Sequence, residues 1–173
     1  MNMARARCLA VSILVLSVVS ACRTPAYLTD LARRHALAAD DPAMFEIKTA
    51  VYRHLFGLGF WRQREYSATF LQGSDAEVEK FMRVFPEQRP KIKRSSLAEL
   101  RPYSTPIDRE TGQPAVILSA TGASIEGAVA GAVGSYYAGA MIRGKFYFSL
   151  RKSEGRWAIE DLTLITAPEE EEQ

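Results

Sequence analysis

Cysteine and histidine are nearly missing from this chain. Its 173 residues hold two of each, Cys8, Cys22, His35 and His54. A structural or catalytic metal needs clustered His, Cys, Asp or Glu, and there is no CxxC or HExxH here. Metal chemistry is therefore not expected. Charge of one sign is also scarce: 22 basic residues face 20 acidic ones, and so balanced a surface gives no electrostatic case for nucleic acid. No apolar run is long enough to cross a bilayer, which takes about 20 residues. GxSxG is absent, as are GxGxxG and GxxxxGK[ST], so nothing announces a nucleophile elbow or a phosphate loop.

The longest apolar run that is present, Cys8–Val19 (CLAVSILVLSVV), follows Arg5 and Arg7 and precedes Val19-Ser20-Ala21-Cys22. A basic start, a short apolar stretch and small residues before a cut are the layout of an export signal. The ending resembles the lipobox of bacterial lipoproteins: an aliphatic residue, a small one, Gly or Ala, then Cys. The resemblance implies cleavage between Ala21 and Cys22, a diacylglycerol on the Cys22 sulfur and an acyl chain, commonly palmitate, on the new amino terminus. One acyl chain holds marginally and two or three hold stably, since each buried methylene contributes about 0.8 kcal/mol. Cleavage also removes Cys8, leaving a single, acylated sulfur and no intrachain disulfide. It removes Arg5 and Arg7, bringing the balance to 20 basic against 20 acidic residues. Arg23 follows the anchor. In the usual sorting rule an Asp there retains a lipoprotein in the inner membrane, so the expected address is the outer membrane, facing the periplasm, with the inner membrane as the alternative.

Four regions follow: a signal peptide at 1–21, a lipidated N-terminus and tether at 22–40, a domain at 41–166 and an acidic tail at 167–173. Leu28, Leu31 and His35 give the tether a helical face. Asp41-Pro42 reads as a helix start, and Met44, Ile47, Val51, Leu55 and Leu58 make one apolar stripe. Phe45, Tyr52 and Phe56 widen it, as a helix lying on a sheet requires. Tyr66–Leu71 alternates as a strand. Ser74 to Glu77 spells a capping box ahead of a second helix with Val78, Phe81, Met82 and Phe85 inward. Lys91–Arg109 is polar and holds Pro102 and Pro106, and a short edge strand fits at 91–95. Asp108–Gln113 is a turn and Val116–Ala120 a strand. Ile125–Met141 reads as one long strand whose small residues let another element come close. Lys145–Lys152 alternates with Phe146, Phe148 and Leu150 inward. Ser153-Glu154-Gly155 turns the chain into a last strand. Trp157 and Ile159 share one face there, while Leu162 and Leu164 fall out of phase, so either a bulge near Asp161 resets the strand or both faces are covered.

The predicted fold class is α+β, with helices packed on one face of a curved antiparallel sheet. The order resembles the cone-shaped fold of nuclear transport factors, ketosteroid isomerases and limonene epoxide hydrolases, and more loosely the cystatins. Asp108 with Thr111-Gly112, Tyr136-Tyr137, Gly144 with Tyr147, and Gly155-Arg156-Trp157 resemble a pattern of small bacterial lipoproteins with such domains. These are turn and core positions, so the resemblance implies a fold and little chemistry.

Catalytic residues are not expected. Tyr66, Asp161 and Trp157 are the candidate pocket residues: a phenol, an acid flanked by apolar residues and an aromatic wall. His54 reads as a half-buried helix residue. The leading expectation is a lipid-anchored envelope protein with a non-enzymatic interaction or structural domain, no cofactor beyond its acyl chains, and an envelope protein or peptide as partner. The alternative is a pocket enzyme of the isomerase or hydrolase kind, which needs an open cavity holding an acid. A peptide-binding module would instead need a free strand edge at 114–120.

Overall fold

The computed structural model describes residues 41–59, 65–101, 104–140 and 142–165. The signal, Cys22, the tether and the acidic tail lie outside the described residues. Among the described residues, two α-helices and eight strands make an α+β fold. Helix α1 spans Pro42–Gly57 and begins where the sequence predicts. Asp41 caps it, Oδ1 accepting from the Ala43 amide at 2.8 Å, and Pro42 supplies the preset first turn. Strand β1 (Ala68–Leu71) leads to helix α2 (Asp75–Val84) and strand β2 (Lys91–Lys93). A short 3-10 turn and two brief strands follow, β3 (Ala98–Glu99) and β4 (Ile107–Asp108). The chain then forms an antiparallel meander of β5 (Ala115–Glu126), β6 (Val129–Tyr137), β7 (Arg143–Ser153) and β8 (Arg156–Leu164).

The main sheet has six strands in the order β2-β1-β5-β6-β7-β8. It is mixed, which corrects the antiparallel expectation: β1 runs parallel to both β2 and β5. All four β1 residues are buried, so the half-buried alternation read at 66–71 does not hold. A strand between two neighbours and covered on both faces has no solvent side, and parallel pairs are of this kind.

A second correction falls at Ile125–Met141. It is a hairpin rather than one strand, with Glu126 opposite Val129 across Gly127-Ala128. Gly127 takes φ +60°, the conformation that the first position of a type II′ turn demands. The small residues do serve close packing. A Cβ on Gly134 would come within 2.6 Å of the Phe148 ring and 2.7 Å of Val51 on α1. In the last hairpin Ser149 faces Asp161 and Leu150 faces Ile159, so Glu160 is the extra residue of a bulge. The bulge returns Leu162 to the packed face and answers the phase slip seen in the sequence.

Both helices lie on one face. Ile47, Val51, Leu55 and Phe81 pack there against Leu71, Val116, Leu118, Phe148 and Leu150 in one cluster. Phe81 stacks on Phe45 at 4.7 Å and meets Tyr52 edge-on at 4.9 Å. The predicted inward face of α2 holds at Val78 and Phe81, whereas Met82 is exposed. Half of the capping box forms: Ser74 Oγ accepts from the Glu77 amide, while the Glu77 carboxylate takes the Lys48 ammonium at 2.7 Å and ties α2 to α1.

Candidate functional site

Among the described residues no α-helix lies on the sheet's other face. Ala68, Phe70 and Ala115 form a small second core there, covered by Leu97 and Ala98. Residues 95–101 and 104 form a strap across this face, pinned at both ends. At one end Ser95 Oγ donates to the Gly73 carbonyl at 3.0 Å, just past β1. At the other the Tyr137 hydroxyl on β6 donates to the Ser104 carbonyl at 3.0 Å. The β3–β4 ladder, Ala98 opposite Asp108 and Glu99 opposite Ile107, stiffens the middle.

Between strap and sheet lies an open cavity of about 600 Å³, within the usual size range of small-molecule sites. Strand register orders its floor. Phe70, Ile117 and Tyr137 stand side by side on β1, β5 and β6 as an apolar and aromatic row. Ser119 and Ser135, two residues along, form a polar row with their hydroxyls 2.7 Å apart; Gln72 adds an amide at the wall. Leu100 and Arg101 close the strap side, Leu100 being 62% exposed. Arg101 holds Glu99 at 2.7 Å on the surface. Among the described lining residues there is no carboxylate, imidazole or thiol.

The root of the strap is a polar knot. The Asp108 side chain is fully buried and accepts from Lys93 Nζ at 2.7 Å, Thr111 Oγ1 at 2.9 Å and the Glu110 amide at 3.1 Å. Glu110 shares the Lys93 ammonium at 2.6 Å. Burial pushes the Asp108 carboxyl up, but the hydrogen bonds from Lys93, Thr111 and the Glu110 amide outweigh it and hold the group below the usual carboxylate range. Hydrogen bonds to Asp108 and Glu110 hold the Lys93 ammonium above its ordinary value. Every contact of this knot lies within the fold, so it works as a clasp.

The structure does not bring the candidate pocket residues together. Tyr66 is half-buried beside β1, with three strands between it and β8. Asp161 is exposed and pairs with Ser149 on the face away from α1 and α2. Trp157 is buried on the helix side under the Lys152 ammonium, 5.6 Å from the ring centre. It borders a separate depression of about 280 Å³ with Glu46, Thr49 and Arg53 of α1. His54 is half-buried as expected, edge-on to Phe148 at 5.5 Å, and its Nε2 has no hydrogen-bond partner among the described residues. Burial pushes the Tyr52 phenol well up, with Glu77 adding to it, and its hydroxyl reaches the Gln72 carbonyl only at 3.4 Å.

The free edge at 114–120 that a peptide-binding module would need is not present, since β5 pairs with β1 on one side and β6 on the other. The cavity residues went unpredicted. Their one sequence signal is Ser119 within AVILSA, a hydroxyl in an otherwise apolar strand. Among the described residues no group of three metal-ligating side chains occurs and no helix is long and apolar enough to cross a membrane. No family, no curated protein and no solved structure matches the chain.

Proposed function

We propose that this chain is an exported lipoprotein, held at the outer membrane and facing the periplasm by acyl chains on Cys22, whose domain acts by binding rather than by chemistry. The leader and the Val19-Ser20-Ala21-Cys22 sequence support the anchor. The lining of the strapped cavity carries the second half. It offers three serine hydroxyls, those of Ser119 and Ser135 bonded to each other and that of Ser95 to the Gly73 carbonyl, with an amide, a phenol already bonded and one guanidinium. General acid–base catalysis most often uses a histidine or a carboxylate, and otherwise a lysine, cysteine or tyrosine; of these the described lining holds only Tyr137, whose hydroxyl donates to the Ser104 carbonyl.

The finer likeness to cone-shaped folds of the ketosteroid-isomerase kind draws support from two helices gathered on one sheet face. The alternative, a pocket enzyme, would need an acid in the cavity. Asp108, the buried carboxylate, is clasped by Lys93, sits below the usual range rather than above it, and does not line the space.

Replacing Cys22→Ala tests the anchor. The variant is expected to leave the membrane fraction and lose palmitate incorporation. A variant still membrane-bound and labelled removes the lipoprotein reading.

A further inference from the structure

The strapped cavity has a polarity, and it points to a ligand class. We propose that it binds a single-chain amphiphile with an anionic head, the alkyl chain lying on the Phe70–Ile117–Tyr137 row beneath Leu100 and the head meeting Arg101. This deepens the binding reading above and rests on it.

Three observations converge. The apolar row is floor to a space of about 600 Å³ that is roofed by the strap, so a chain laid there is covered on two sides. Burial of each methylene contributes about 0.8 kcal/mol, which suits a flexible alkyl chain better than a polar metabolite. The only charged side chain among the described lining residues is Arg101, and a guanidinium presents a fork of donors that matches a carboxylate or phosphate head. Its present partner, Glu99, makes an exposed pair with side chains 73% and 36% accessible. Exposed pairs contribute little and exchange readily, so a ligand head can take its place at small cost. The strap pins agree with this placement. Ser104, which carries the Tyr137 pin, also donates its amide and hydroxyl to the Arg101 carbonyl, which keeps Arg101 beside Tyr137 at one end of the apolar row.

Photo-crosslinking on the full chain in isolated envelopes tests this. The probes are a diazirine-bearing fatty acid and the matching fatty alcohol. Acyl groups incorporated at Cys22 are present without light, whereas cavity adducts require it, so the anchor and the cavity are read separately. The expected result is light-dependent adducts of the fatty acid on peptides spanning 98–101, 117–119 or 135–137. Excess dodecanoate should compete if the natural form is a free acid, and lysophosphatidylglycerol if it is a single-chain phospholipid; either competition supports the site. Arg101→Gln, an exposed change that leaves the core intact, should weaken capture of the acid roughly tenfold, the worth of a charged hydrogen bond. Capture of the alcohol should be unchanged. Ile117→Trp, which fills the floor, should abolish both. Adducts scattered over the surface without competition, no adducts at these peptides, or equal loss of acid and alcohol in Arg101→Gln would overturn the proposal.

Discussion

The two faces of one sheet make the most instructive comparison in this molecule. β5 serves both. Val116, Leu118 and Ala120 point to the helices; Ala115, Ile117 and Ser119 point to the strap. On the helix side, rings and branched chains from α1 and α2 fill the space: Ile47, Val51, Tyr52 and Leu55 are all 0% exposed. On the strap side the cover is one thin segment, with Leu97 and Leu100 set among small and polar side chains, and it leaves a cavity. Close packing follows from the cover as much as from the strands. A helix sixteen residues long presents a full apolar stripe, whereas a strap held by two-residue strands spans the floor without filling it.

Cutting into the helix face should have the largest effect. Phe81→Ala removes a ring in contact with Phe45 and Tyr52 and is expected to lower stability by about 3–5 kcal/mol, measured by denaturant unfolding. A loss under 1 kcal/mol would mean that this face is not the tight one.

The clasp at the strap's root comes next. Asp108→Asn keeps the shape but weakens the charge-assisted bond from Lys93, at a cost of about 1–3 kcal/mol near neutral pH. The pH dependence has a definite sign. The folded-state pKa of Asp108 lies below its unfolded value, so its contribution is complete above the ordinary carboxylate pKa of about 4 and disappears as pH falls through the folded value. The wild-type chain should therefore lose more stability than Asp108→Asn on acidification below about pH 4. Parallel acid limbs in the two titrations would exclude the clasp as a source of stability.

The smallest effect is expected at the far pin. Tyr137→Phe removes one hydrogen bond to a carbonyl at the rim, about 1 kcal/mol. Hydrogen exchange should speed up at the strap amide of Leu97, which donates to the Arg94 carbonyl, and at the Arg109 amide, which donates to the Leu97 carbonyl, and stay unchanged in α1. Uniform acceleration over the whole chain would deny the strap an independent motion.

What the sequence made legible follows the same division. α1, α2 and the last hairpin rest on local signals: the Asp41-Pro42 start, the Ser74 cap, and clean alternation around Ser153-Glu154-Gly155. The bulge at Glu160 was announced by the slip from Ile159 to Leu162. The parallel pairing of β1 was not legible, because Phe70 and Ile117 are brought together from 47 positions apart and no local pattern encodes that distance. The hairpin at Gly127-Ala128 was hidden by the run of small residues on both sides. The strap stayed hidden because its ladder is two residues long and its stretch polar and rich in proline. The cavity is assembled from four separate segments, each ordinary by itself.

The Ser119–Ser135 pair on the cavity floor has one last property. Its oxygens are 2.7 Å apart and either hydroxyl can be the donor. Rotation about two C–O bonds reverses the pair without shifting a heavy atom, freeing a proton at one serine or the other. The floor can thus answer a guest's acceptor at two alternative positions one hydrogen-bond length apart, which gives a rigid sheet some tolerance in where it meets a polar atom.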